Sequence, residues 1–187
     1  MTVLDIVTLP NEVLRKKAQP VTKFDDDLQT LIDNMIETMR HAHGVGLAAP
    51  QVGIPLRLAV VETLPDTDEE GNDIEGTRDL YVIVNPEIVW TSREMVSGIE
   101  GCLSIPGYLG EVYRYTEIRV RAQDRHGKKI RLRLKDWDAR IFQHEIDHLD
   151  GVLYIDKLTA PENFWTEKAF YGESAQEQET EGQEAGE

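Results

Sequence analysis

The chain has 187 residues, a formal net charge of −15 and one cysteine. That length suits a single domain with its own apolar core, and a lone thiol excludes a disulfide framework within the chain and fits a reducing compartment. No apolar run approaches the roughly 18 residues of a membrane span, and the acidic amino-terminal segment lacks the apolar core of a signal peptide, so the composition predicts a cytoplasmic protein with no membrane partner.

The charge is unevenly spread. Residues 64–79 hold seven acids and one arginine, and residues 172–187 hold six glutamates and no base, so the two segments carry −12 of the −15. The remaining body is close to neutral, and its bulk charge says little about partners. Both segments are poor in large apolar side chains. They read as an acidic excursion within a domain of residues 1–171 and a disordered acidic tail, 172–187.

Along the chain, Asn11 can cap a short helix to about Lys17, closed by Pro20. A longer helix follows over 25–43, with Leu28, Leu31, Ile32, Met35, Ile36 and Met39 on one stripe, three aspartates at its positive end and Gly44 as its stop. Residues 58–61 and 81–84 are β-rich and read as paired strands on either side of the acidic excursion. Ile118, Val120 and Ala122 alternate with Arg119 and Arg121, and Ile130, Leu132 and Leu134 with Lys129, Arg131 and Arg133. The turn at Asp124-Arg125-His126-Gly127 makes this a hairpin with one apolar and one basic face, the latter read as a solvated sheet surface. Asp136 or Asp138 can cap the next helix, which runs to about Asp150 and stops at Gly151. Pro161 starts a last short helix to about Phe170, docked by Phe164, Trp165 and Ala169. The fold class expected is α+β, a single domain of mostly antiparallel sheets packed around a central helix.

That helix contains Gln143-His144-Glu145-Ile146-Asp147-His148, an HExxH pattern. Four-residue spacing aims both imidazoles the same way, so they can reach one metal ion, and Glu145 can move a proton beside it. A catalytic metal normally takes three protein ligands. Tyr154 stands where one known extension of HExxH places a third histidine, and Glu167 lies near the distance at which another places a glutamate. Cys102, in Gly98-Ile99-Glu100-Gly101-Cys102-Leu103-Ser104-Ile105-Pro106-Gly107, is the stronger candidate, since the flanking glycines allow close backbone approach and a thiolate is a good ligand. The glycines Gly44, Gly46 and Gly53 form no phosphate loop, because no GK[ST] follows.

EGCLSIPG at 100–107, QHEIDHLDG at 143–151 and GVGLAAPQVG at 44–53 resemble the three signature motifs of peptide deformylases, in the family's order. The resemblance runs from about residue 5 to residue 158. It implies hydrolysis of the formyl group from formyl-methionyl nascent polypeptides. It further implies that Cys102, His144 and His148 hold one divalent metal ion, ferrous iron in the family, with zinc, nickel or cobalt as replacements. Glu145 would carry the proton from water to the departing amine, and the Gln51 amide and Leu103 backbone N–H would meet the developing oxyanion. Gly46 and its loop would pair with the substrate as an added strand, and Val45, Ile141 and Trp137 would line a pocket for the methionine side chain. Glu100 and Arg114 match positions whose charges pair in the family.

Tyr108-Leu109-Gly110 replaces a basic residue usual after EGCLSIP, and Tyr113 a proline, which alters the outer substrate subsites. Some members dock on the ribosome through a basic carboxyl-terminal helix; the acidic segment 172–187 predicts weaker or different, transient ribosome contact and no direct nucleic-acid recognition. Two other readings of the motif are a small HExxH endopeptidase using Glu167 and a non-catalytic metal-stabilised module that binds nascent chains.

Overall fold

The computed structural model describes residues 2–65, 68, 70, 72, 74 and 76–172. Most of the acidic excursion's acids and all but the first residue of the acidic tail lie outside these. The described chain forms three α-helices and two antiparallel sheets. Helices α1 (Asp26–His41), α2 (Asp136–Leu149) and α3 (Glu167–Tyr171) accompany β1 (Gly46–Ala48), β2 (Leu58–Glu62), β3 (Leu80–Thr91), β4 (Met95–Cys102), β5 (Ile105–Tyr115), β6 (Glu117–Gln123), β7 (Lys129–Lys135) and β8 (Phe164–Thr166). The strands make a five-stranded sheet ordered β1-β2-β3-β6-β7 and a three-stranded sheet ordered β4-β5-β8. This is the α+β arrangement expected.

Strand β2 explains how the layers assemble. Leu58, Ala59, Val60 and Val61 are all wholly buried, because both faces of this part of the sheet are covered. Leu58 and Val60 join the apolar stripe of α1 (Leu28, Ile32, Met35, Ile36, Met39), while Ala59 and Val61 join Ala139, Ile141, Phe142 and Ile146 of α2. The metal-motif helix is therefore enclosed rather than laid on the surface. β2 and β3 pair from Leu58 opposite Val84 to Glu62 opposite Leu80, across the ends of the acidic excursion. The β6–β7 hairpin pairs Ile118 with Leu134 and Val120 with Leu132, as the alternation predicts.

Several local expectations change. The first helix is a single 3-10 turn, Glu12–Arg15, capped by Asn11, whose side chain accepts from the Val13 N–H at 3.1 Å. α1 stops at His41 because His43, not Gly44, takes the left-handed conformation (φ 52°). Gly44 has a packing reason instead: a Cβ there would lie 3.0 Å from Leu103 Cδ1. Asp136 and Asp138 sit inside the first turn of α2 rather than at its cap, where they still suit its positive end. Gly151 does end that helix at φ 74°, and a Cβ on it would meet the Arg15 carbonyl oxygen at 2.6 Å. The last segment is not one helix from Pro161. Phe164–Thr166 adds β8 to the edge of β5, with Trp165 opposite Leu109, before the short α3. Among the described residues no helix is long and apolar enough to cross a membrane.

Candidate active site

Two separate parts of the fold bring three side chains together. β4 ends at Cys102, and a two-residue turn through Leu103 and Ser104 leads back into β5. α2 supplies His144 and His148 one turn apart. The ligand atoms of Cys102, His144 and His148 all lie within 4.8 Å of one another, with Cys102 Sγ 3.2 Å from His148 Nε2. A tetrahedral ion with ordinary metal–sulfur and metal–nitrogen bonds holds such a pair about 3.5 Å apart, so the donor set fits a divalent cation.

His144 Nδ1 lies 2.9 Å from Glu100 Oε2, which leaves Nε2 as the ring nitrogen available to the cluster. Glu100 is itself held by Arg114 through two 2.9 Å hydrogen bonds and by Arg140 through one of 2.8 Å. Burial alone would push the Glu100 carboxyl up, but Arg114 and then His144 outweigh it and hold it well below the usual carboxylate range. Burial likewise opposes charge on Arg114, which Glu100 and Asp147 nevertheless keep protonated; Asp147 lies 2.5 Å away. Glu100 therefore stays anionic and fixes the orientation of His144.

Sequence reasoning passed over Arg140, a buried arginine whose guanidinium also donates to the Val96 carbonyl at 2.8 Å and the Val112 carbonyl at 3.2 Å. Its place four residues before His144, on the face that carries both histidines, was the available signal. Gly98 makes room for it, since a Cβ there would sit 2.8 Å from Arg140 Cζ. Tyr154, which stands where another metallohydrolase pattern has its third histidine, packs near His144 with ring centroids 6.1 Å apart and donates to the Tyr108 carbonyl at 3.0 Å. Its hydroxyl is occupied by structure.

Glu145 is buried beside the metal ligands. Burial pushes its carboxyl up to about 7, with the His144 charge opposing, the Glu100 charge adding and the Arg114 charge opposing. In the metal-free protein burial disfavours the charged form of His144, yet hydrogen bonds to Cys102 and Glu100 raise it well above the ordinary histidine value. Burial, then His144 and Arg114, push His148 well below that value. Among the described residues, the buried side-chain polar atoms without a hydrogen-bond partner are Glu145 Oε2 and His148 Nδ1, both in this centre. Gly46 of β1 packs directly on Glu145, and a Cβ on it would approach Glu145 Cδ to 2.7 Å. The glycine thus makes space for the carboxylate as well as for anything passing outside it.

Gln51, on the 3-10 turn Ala49–Val52, is oriented by the backbone. Its Oε1 accepts from the Ala48 N–H at 2.9 Å, which turns Nε2 towards Cys102 Sγ (3.6 Å) and Ser104 Oγ (3.3 Å). A cavity of about 490 Å³ opens over these groups, lined among others by Val45, Gly46, Leu103, Trp137, Ile141 and Glu145. Glu167, at the start of α3, also reaches its wall but is exposed and lies outside the ligand cluster.

The motifs, the cluster and the cavity agree with relatives of known family. A model of the family described as polypeptide deformylase matches residues 3–164. A peptide deformylase of Symbiobacterium thermophilum is 53% identical over 159 residues, covering 85% of this chain and 68% of that protein. The crystal structure of the Thermotoga maritima peptide deformylase is 41% identical with a TM-score of 0.76, covering 86% of this chain and 100% of that one. A Met-Ala-Ser-bound class I type b peptide deformylase from Acinetobacter baumannii is 35% identical with a TM-score of 0.75, over 84% of this chain and 99% of that one. The chain belongs to the polypeptide deformylase family, metal-dependent hydrolases that remove the formyl group from nascent polypeptides.

Proposed function

We propose that this chain deformylates formyl-methionyl nascent chains at the Cys102–His144–His148 centre, with Glu145 as the proton carrier. The observation that carries this reading is the juxtaposition of a buried Glu145 carboxylate, its Oε2 without a hydrogen-bond partner, with a three-donor cluster at one cavity. A divalent cation bound there supplies Lewis-acid chemistry that makes water a competent nucleophile near neutral pH. Glu145, with a carboxyl raised to about 7, can accept that water's proton and return it to the leaving amine nitrogen, so that the amide C–N bond breaks as formate and a free amine form. Gln51 Nε2, oriented by the Ala48 N–H, and the Leu103 N–H donate to the oxyanion. Among the described residues β1 pairs only with β2, so its other edge can receive the substrate backbone as an added strand beside Gly46. Val45, Ile141 and Trp137 make the apolar wall for the methionine side chain.

Glu100 and Arg114, with Arg140, hold His144 in the orientation that binding requires. The resident ion in this reading is ferrous iron, as the likeness to deformylases suggests, while one thiolate and two imidazoles also accept zinc, nickel or cobalt. The reading places the enzyme in the cytoplasm, in transient contact with ribosomes.

The endopeptidase alternative needs Glu167 as a ligand, and the cluster contains Cys102 instead. Mass analysis of the products from formyl-Met-Ala-Ser separates the two. Deformylation gives Met-Ala-Ser and formate, whereas release of formyl-Met and Ala-Ser would establish peptide-bond cleavage.

A further inference from the structure

Ser104 has no part in the chemistry above, yet it is wholly buried beside it, in the turn between β4 and β5. In turns a serine hydroxyl commonly bonds nearby backbone. Here it does not. Among the described residues its hydrogen-bond partner is Gln51 Nε2 at 3.3 Å, 53 positions away in the chain.

The Gln51 amide is held from three sides. The Ala48 N–H donates to Oε1 at 2.9 Å, which excludes the flipped amide, because an NH2 group there would set donor against donor. Nε2 then carries two hydrogens at a fixed angle. Ser104 Oγ accepts one, and the other is directed at Cys102 Sγ, 3.6 Å away in the metal-ligand cluster. Without the hydroxyl, the amide could pivot about its contact with Ala48 and the second hydrogen would lose its aim. The main chains of the two residues are secured separately by the amino-terminal segment: the Val7 N–H donates to the Gln51 carbonyl at 2.8 Å, and the Leu9 N–H to the Ser104 carbonyl at 3.1 Å. The Ser104 hydroxyl is thus a side-chain link between two backbones that are already in place.

We propose that Ser104 is a positioning residue for deformylation, aiming the Gln51 amide at the oxyanion that develops on the formyl group and keeping it in register with the neighbouring Leu103 N–H. The proposal rests on the deformylase reading of the site. The two oxyanion donors come from distant parts of the chain, and the bond between Gln51 and Ser104 joins the 3-10 turn of one to the β4–β5 turn of the other. In the reaction the oxyanion takes the hydrogen that faces Cys102, while the hydrogen on Ser104 stays where it is. The donor is therefore preorganised and needs no rearrangement in the transition state.

A double-mutant cycle on formyl-Met-Ala, with iron content matched across the variants, tests the proposal. Ser104→Ala should lower kcat about three- to tenfold with KM unchanged. Gln51→Ala should lower kcat about 10²- to 10³-fold, and adding Ser104→Ala to it should change kcat by less than about twofold. Equal loss in both backgrounds would overturn the proposal, as would an unchanged kcat in Ser104→Ala. A second readout needs neither activity nor a variant: in the metal-free wild type, the Gln51 side-chain amide should give two resolved, slowly exchanging proton resonances by NMR. Fast exchange there would overturn the proposal by itself, and Ser104→Ala should speed exchange at least about threefold. Slow exchange in a wild type that releases no formate when iron-loaded would instead contradict the deformylase reading.

Discussion

The Glu100 carboxylate accepts two hydrogen bonds from the Arg114 guanidinium, both 2.9 Å, and both side chains are almost wholly buried. The pair binds Cys102's strand to the histidine helix, because Glu100 also meets His144 and Arg140 on α2. Removing one partner leaves buried guanidinium charge uncompensated, which costs about 3–5 kcal/mol. Glu100→Gln should therefore lower the urea midpoint of the metal-free protein and weaken metal retention. The pH dependence follows from the depressed carboxyl. Its stabilisation is fully present above the ordinary value of 4.5 and is lost as pH falls below that towards the folded value. Acid titration of metal-free wild type should show this loss, and Glu100→Gln should show a shallower one.

Gly46→Ala tests the packing of the proton carrier. The added Cβ would come within 2.7 Å of Glu145 Cδ, so the carboxylate must shift while Cys102, His144 and His148 stay in place. The expected outcome is a loss of about 10²- to 10⁴-fold in kcat/KM with the metal content unchanged. Steady-state kinetics beside metal analysis would check it, and full activity in the variant would remove Glu145 from that role.

Cys102→Ser and Glu167→Gln discriminate the third ligand. With Cys102 in the cluster and Glu167 exposed at the cavity wall, the serine variant should lose or greatly weaken the bound metal and the glutamine variant should retain it. Equilibrium dialysis against a chelator reads the difference, and the opposite pattern would restore the endopeptidase reading.

Gly151→Ala should destabilise the fold without touching the chemistry. Its φ of 74° is unfavourable for a side chain, and the Cβ would lie 2.6 Å from the Arg15 carbonyl oxygen. Loss of at least about 1 kcal/mol is expected in denaturant unfolding, with kcat retained where the protein stays folded.

The chemistry was more legible in the chain than the architecture around it. HExxH on a helix fixes the relative direction of His144 and His148 by helical geometry alone, and α1 and the β6–β7 hairpin announce themselves by period. Strands β4 and β5 do not, because glycines at 98, 101, 107 and 110 dilute their alternation and an irregularity between Gly101 and Cys102 shifts their register. Gly98 answers to Arg140, a residue distant in sequence, so local pattern gives no reason for it. Phe164–Thr166 reads like the start of a helix, and only the open edge of β5 makes it a strand. Arg140 escaped notice because arginine on a helix ordinarily faces water; here Glu100 and two carbonyls compensate its burial.

The most direct measurement is formate release from formyl-Met-Ala under anaerobic conditions by the ferrous-loaded chain, compared with Glu145→Gln at equal iron content. Wild type should release one formate for each free amine formed, and the variant should be slower by at least about 10²-fold. No formate from loaded wild type, or a variant as fast as wild type, would contradict the account.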